Sequence, residues 1–132
     1  MSKKIKKYFI FHAPWQILAI TIFILSSLPG EDLPNLGFRA ADKLIHMLIF
    51  GFLAVLILRS FENANSSFLF QNARFLAIGI TVLYGALDEI HQYYVPGRSA
   101  SVWDWFSDIA GAFILVFIFQ FLRRRFLEYR ES

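Results

Sequence analysis

Residues 73–95 read ARFLAIGITVLYGALDEIHQYYV. Nothing between Arg74 and Asp88 is charged, and the run has about the 20-residue length a helix needs to cross a bilayer. Yet it closes on Asp88, Glu89, His91 and Gln92. Ionisable side chains inside an apolar helix are costly, and they persist where they face a protein interior, a polar cavity or one another. This stretch therefore predicts an all-α membrane protein and marks where its chemistry lies.

Outward from it, the rest of the chain fits the same class. The 132 residues are 57% hydrophobic and 18% aromatic, with sixteen Phe and none of the balance of a soluble domain. Mean hydropathy is +0.51. Helical spans are predicted at about residues 8–28, 42–61, 73–95 and 101–122. Turn chemistry separates them: Pro29-Gly30-Glu31-Asp32, then Glu62 to Ser67, then Pro96-Gly97-Arg98. Residues 1–132 thus read as a single transmembrane domain. Lys3, Lys4, Lys6 and Lys7 precede the first run. That run is long for a signal-peptide core and lacks a clear small-x-small cleavage site, so it reads as a retained helix. The chain has no Cys, which excludes disulfides, thiolate metal sites and thiol nucleophiles.

Charge sets the expected orientation. With both termini cytoplasmic, the inside carries Lys3, Lys4, Lys6, Lys7, Arg59, Arg74, Arg123, Arg124, Arg125 and Arg130, and the outside only Arg39, Lys43 and Arg98. Ten against three is the positive-inside pattern. The same clustering at span ends explains the basic residues without nucleic acid. Tyr93, Tyr94, Trp103 and Trp105 suit an outer interfacial belt; Tyr8, Trp15 and Tyr129 suit an inner one. The fold expected is an antiparallel four-helix bundle.

That topology gathers the polar clusters at the outer end. The second helix enters with Asp42, Lys43 and His46, and the third leaves through Asp88, Glu89, His91 and Gln92. The fourth begins with Asp104 and Asp108. Asp88 and Asp108 each lie about 10 Å below a helix end. The short Pro96–Ala100 link makes the third and fourth helices neighbours. Tyr84, Asp88, His91 and Gln92 share one helical face, with Glu89 about 100° away. Asp104, Asp108 and Gly111 share another, where Gly111 permits close helix approach. His46, Asp88 and Asp108 are expected to converge in one outward-facing pocket with Arg98 at its rim. Structural roles stand beside these. Asp42 suits a helix N-cap, Ser101-Val-Trp-Asp104 matches a capping box, and His46 suits a buried hydrogen bond. Arg98 suits either a topology signal or a fork for phosphate or carboxylate.

With these residues laid out, the chain resembles the VanZ-like family of small bacterial membrane proteins. The resemblance rests on Asp42-Lys43-Leu44-Ile45-His46, Asp88-Glu89-Ile90-His91-Gln92, Val95-Pro96-Gly97-Arg98 and Asp104-Trp105-Phe106-Ser107-Asp108-Ile109-Ala110-Gly111. Ser26-Ser27-Leu28-Pro29-Gly30 forms the lead-in. It implies a multi-pass protein of the bacterial cytoplasmic membrane, and the founding member is associated with resistance to the glycopeptide teicoplanin. It implies no agreed biochemical mechanism.

Three functional classes remain open. One is an accessory protein that binds a phospholipid or lipid-linked cell-wall precursor headgroup at its outer face, through Asp42, Lys43, His46, Gln92, Arg98, Asp104 and Asp108. Another is an enzyme acting on such a headgroup, with Asp88 or Glu89 as general base and His91 as proton carrier. The third is a proton- or solute-coupled transporter. No P-loop, dinucleotide fingerprint or His-Glu-x-x-His occurs. A divalent metal held by His and carboxylates and a carboxylate–histidine hydrogen-bond network are equally open, as is oligomerisation.

Overall fold

The structure, a computed structural model, describes residues 2–32 and 39–131, with side-chain surroundings for 2–31 and 41–131. Among the described residues there are four long helical stretches and no strand: α1 (Lys3–Ser26), α2 (Arg39–Glu62), α3 (Ser67–Tyr93) and α4 (Val102–Glu131). A 3-10 turn, Gly30–Asp32, follows α1. The side chain of Arg39, counted in the charge pattern, lies outside the described residues.

Local chemistry explains where the helices depart from the predicted spans. The first begins at Lys3 rather than Tyr8 because Ser2 Oγ accepts the Ile5 N–H at 3.4 Å. The third begins at Ser67 rather than Ala73 because Ser66 Oγ accepts the Leu69 N–H at 3.4 Å. It stops at Tyr93, ahead of Val95-Pro96, where the proline disfavours helical backbone in its predecessor. The fourth runs past Leu122 to Glu131, its last turns exposed and carrying an Arg125–Glu128 pair at 3.7 Å. Within α1, Tyr8–His12 forms a π-turn just before Pro14. Proline has no N–H to offer the carbonyl four residues back, so the ladder widens there.

Three helices, Lys3–Ser26, Ala41–Glu62 and Val102–Glu131, are long and apolar enough to cross a membrane. The remaining one, α3, is long enough but carries Arg74, Asp88 and Glu89. Its polarity is turned inward. Thr81, Asp88, Glu89 and Gln92 are buried, while Phe75, Leu83, Leu87 and Ile90 are exposed. A water-soluble helix shows the reverse.

The core centres on α2, whose Phe50, Leu53, Ala54, Ile57 and Leu58 meet Ala73, Ala77 and Ile78 of α3 and Ala112 and Val116 of α4. Glycines set the α2–α4 spacing. A Cβ on Gly111 would overlap the Met47 carbonyl oxygen, and one on Gly51 would lie 2.7 Å from the Gly111 carbonyl oxygen. Backbone therefore touches backbone, as small residues allow where membrane helices cross.

Contacts at the two ends order the helices. The end of α1, the start of α2, the end of α3 and the start of α4 meet through Ser27–His91, Lys43–Asp104, His46–Asp108 and Gly30–Pro96. At the opposite end Lys7 Nζ donates to Asn65 Oδ1 at 3.2 Å, His12 Nδ1 lies 2.7 Å from Ser60 Oγ, and Arg123 pairs with Glu62.

Gly111→Ala should cost about 1–3 kcal/mol, as overpacked cores do, and lower the thermal midpoint in detergent. Gly79 has open space around its would-be Cβ. Gly79→Ala should therefore hold or raise that midpoint by the helix propensity gained, up to about 1 kcal/mol.

Candidate functional site

His46 and Asp108 form the centre of the polar end. Gly111 lies one turn beyond Asp108 and Met47 is next to His46, so the close helix crossing also brings these two side chains together. His46 Nδ1 is 3.1 Å from Asp108 Oδ1, and Asp108 is 0% exposed. The His46 ring lies parallel to Phe50, with centroids 6.0 Å apart. On α3, Gly85 makes room: a Cβ there would stand 2.7 Å from Asp108 Oδ2. That Oδ2 is buried without a hydrogen-bond partner among the described residues.

The other carboxylates divide by partner. Lys43 Nζ donates to Asp104 Oδ1 at 2.7 Å. Gln92 Nε2 donates to Asp88 Oδ2 at 2.7 Å, one turn along the same helix. Glu89 Oε2 accepts the Ser101 backbone N–H at 2.7 Å, and Glu89 Oε1 is buried and partnerless among the described residues. The capping-box reading gave the Ser101 N–H to Asp104. It goes instead to Glu89 of the preceding helix, because Lys43 draws Asp104 toward α2.

A cavity of about 340 Å³ opens beside this centre, between α1, α2 and α3. Asp42, His46, Asp88, Gln92 and Arg98 supply its polar lining, and Ile22, Leu25, Ile45 and Ile49 much of its apolar wall. Arg98 is half-buried there, its Nε without a hydrogen-bond partner among the described residues. His46, Asp88 and Arg98 thus meet around one cavity, and Asp108 lies behind His46 without lining it. His91 faces elsewhere. Ser27 Oγ–H donates to the Phe23 carbonyl at 2.6 Å, leaving the oxygen to accept from His91 Nε2 at 2.9 Å. The ring lies over Phe23, with centroids 4.9 Å apart. His91 shares the Asp88 face in sequence but packs against α1. A second hollow, a groove of about 430 Å³ between α3 and α4, is lined by Glu89, Tyr93, Tyr94, Ser101 and Trp105, among others.

Two turns frame the polar end. Val95–Arg98 closes by an Arg98 N–H to Val95 carbonyl bond of 3.2 Å, with Pro96 second and Gly97 third at φ 71°, as a type II turn requires. The Gly30 N–H donates to the Pro96 carbonyl at 3.1 Å, and a Cβ on Gly30 would overlap the Gly97 carbonyl. The turn after α1 therefore holds the turn that carries Arg98.

Among the described residues, two groups of three side chains place possible metal-ligand atoms within 4.8 Å of one another. They are Asp42, His46 and Asp104, and His46, Glu89 and Asp108.

A model of the family described as VanZ/LLP1 matches residues 2–123. The chain belongs to the VanZ/LLP1 family. No curated protein and no solved structure matches it. Every segment that carried the resemblance lies at the polar end of this VanZ/LLP1 chain. The Pro29-Gly30 and Pro96-Gly97 turns touch each other, and the Asp42–His46, Asp88–Gln92 and Asp104–Gly111 stretches supply the cavity and the buried centre.

Sequence reasoning missed three participants. Gly85 admits the Asp108 carboxylate, and its position three residues before Asp88 was the available signal. Ser27 receives His91, and the Ser101 backbone holds Glu89; neither contact has a sequence signature. Trp105, read as an interfacial residue, donates from Nε1 to the Val82 carbonyl at 3.0 Å and ties α4 to α3. Tyr93, Tyr94 and Trp103 are exposed, as an interfacial belt requires.

Lys43→Met should destabilise the protein more than the Lys43→Met/Asp104→Asn double variant, because the single change strands a buried carboxylate. A double-mutant cycle on thermal unfolding should give a coupling on the order of 1 kcal/mol, since Lys43 remains partly in water. Equal effects of the single and double changes would show that the pair is uncoupled.

Proposed function

We propose that this VanZ/LLP1 chain is a four-span protein of the bacterial cytoplasmic membrane with both termini inside. Its outer end binds the phosphate-bearing headgroup of a phospholipid or a lipid-linked cell-wall precursor. The observation that carries the binding reading is Arg98, a residue with a buried, unpartnered Nε that lines a cavity walled by Ile22, Leu25, Ile45 and Ile49. A guanidinium held against aliphatic side chains suits an anion attached to a hydrocarbon chain. Asp42 and Asp88 on the same cavity disfavour a bare polyanion and suit hydroxyl or amine groups beside the phosphate. Binding ranks above catalysis because, among the described residues, the hydroxyl on the cavity, Ser26, donates to the Phe23 carbonyl rather than to a base.

The orientation rests on basic-residue asymmetry and on the contacts that place the polar side chains at one end. In this Cys-free chain, Ser99→Cys should react with an impermeant maleimide in intact cells. Ser2→Cys and Ser67→Cys should react only after lysis. The opposite pattern would invert the topology.

For binding, lipid extracted from the purified wild type should contain one phosphorylated lipid class in excess over the host membrane. Arg98→Ala should lose that enrichment and Arg98→Lys should retain part of it, since lysine keeps the charge but not the fork. Unchanged enrichment in Arg98→Ala at normal membrane abundance would reject the headgroup reading.

A further inference from the structure

We infer that His46, Glu89 and Asp108 form a binding site for a single divalent metal ion, held at the junction of α2, α3 and α4. The three side chains offer one nitrogen and two oxygens within 4.8 Å of one another. His46 Nδ1 and Asp108 Oδ1 are already 3.1 Å apart. Bonds of about 2.0–2.2 Å to one ion place neighbouring ligand atoms roughly 3–3.6 Å apart, from octahedral to tetrahedral, so this pair needs little movement to share a cation.

The second observation is what the carboxylates lack. Glu89 is 8% exposed and Asp108 0% exposed. Each retains one oxygen, Glu89 Oε1 and Asp108 Oδ2, with no hydrogen-bond partner among the described residues. A buried carboxylate oxygen without a donor is an expensive arrangement. The nearby cations serve elsewhere or stand apart: Lys43 holds Asp104, and Arg98 lines the cavity without a bond to either carboxylate. His46 meets only Asp108 Oδ1; a divalent ion would take the neutral imidazole as a ligand and supply two positive charges to the two carboxylates.

The surroundings are those of a supported site. Ser101 N–H fixes Glu89 through Oε2 and leaves Oε1 free, and the Phe50 ring lies parallel to that of His46, with centroids 6.0 Å apart. Such outer contacts orient ligands. His46 lines the α1–α2–α3 cavity and Glu89 the α3–α4 groove, so each hollow borders one of the ligands. An imidazole with two carboxylates and no sulfur favours zinc or manganese over a soft ion. Three protein ligands leave a coordination position open. The rival group, Asp42, His46 and Asp104, is weaker on the same criteria, because Asp104 is already paired and Asp42 is exposed.

The test uses the full chain purified in detergent, stripped with a chelator, then titrated with zinc or manganese and counted by elemental analysis. Wild type should take up one ion per chain. Glu89→Gln and Asp108→Asn should each weaken uptake by at least the 10–100-fold typical of outer-shell changes. The ion should raise the thermal midpoint of wild type and leave that of either variant unmoved. No stoichiometric uptake by wild type would overturn the site and leave the carboxylates to share protons with His46. Uptake lost in Asp42→Asn but kept in Glu89→Gln would also overturn it. If the variants do not fold, X-ray absorption of the cobalt-loaded Asp42→Asn variant, which removes a ligand of the rival group at an exposed position, decides. Mixed nitrogen and oxygen ligation supports the site, and a fully hydrated ion overturns it. Arg98→Ala should leave metal uptake intact, so failure of the headgroup reading and failure of the metal site are separable.

Discussion

The structure turns on keeping a carboxylate with no solvent exposure, Asp108, among apolar helices. An ionised group there carries several kcal/mol of desolvation cost unless geometry supplies compensation. The neighbouring elements supply it in part. Gly111 and Gly51 let α4 approach the α2 backbone closely, which delivers His46 to Asp108, and Gly85 removes the side chain that would block the carboxylate from α3. Enlarging any of these glycines would displace a charge as well as open a packing seam. Packing and electrostatics are therefore one constraint at this crossing.

The amphipathicity of α3 follows from the same constraint. Toward its C-terminal end, where Asp88, Glu89 and Gln92 face inward, α3 turns its large hydrophobic residues Leu83, Leu87 and Ile90 outward, while Ala73, Ala77 and Ile78 keep its first half in the core. This inside-out pattern suits lipid on one side and a polar centre on the other. It also explains why α3 is not among the helices that length and apolarity alone mark as spans, although it lies between two that are. Its charges count against it by composition but are hidden from the exterior by fold.

Much of this was legible in the sequence because charge in an apolar run has few places to go. The helices, the gathering of Asp42, His46, Asp88 and Asp108 at one end, and the close approach at Gly111 all follow from spacing and helix geometry. What stayed hidden depends on angle and on backbone. His91 and Asp88 share a face within the width of a helical stripe, yet a few tens of degrees send one to Ser27 and the other to the cavity. The Ser101 N–H carries no side-chain signature, so its bond to Glu89 could not compete with the capping box the letters spelled. Helix ends were misplaced where Ser2 and Ser66 capped earlier than hydropathy alone suggests.

The two ends of the helices differ in how completely their charged groups are satisfied. At the basic end Lys7 meets Asn65, His12 meets Ser60, and Glu62 meets Arg123. These pairs join helices without leaving a buried charge bare. At the other end Glu89, Arg98 and Asp108 each keep a buried polar atom with no partner, and no other charged side chain among the described residues does. A fold with adequate pairing at one end has no structural need for bare charges at the other. Folding stability selects against such groups, whereas a ligand that completes them favours their retention. Among charged side chains of the described residues, the incompleteness is local to the cavity and the buried centre. It includes both signs of charge, with a guanidinium facing the cavity and two carboxylates behind it. An anion and a cation are the complementary occupants, and they need not be part of the same ligand.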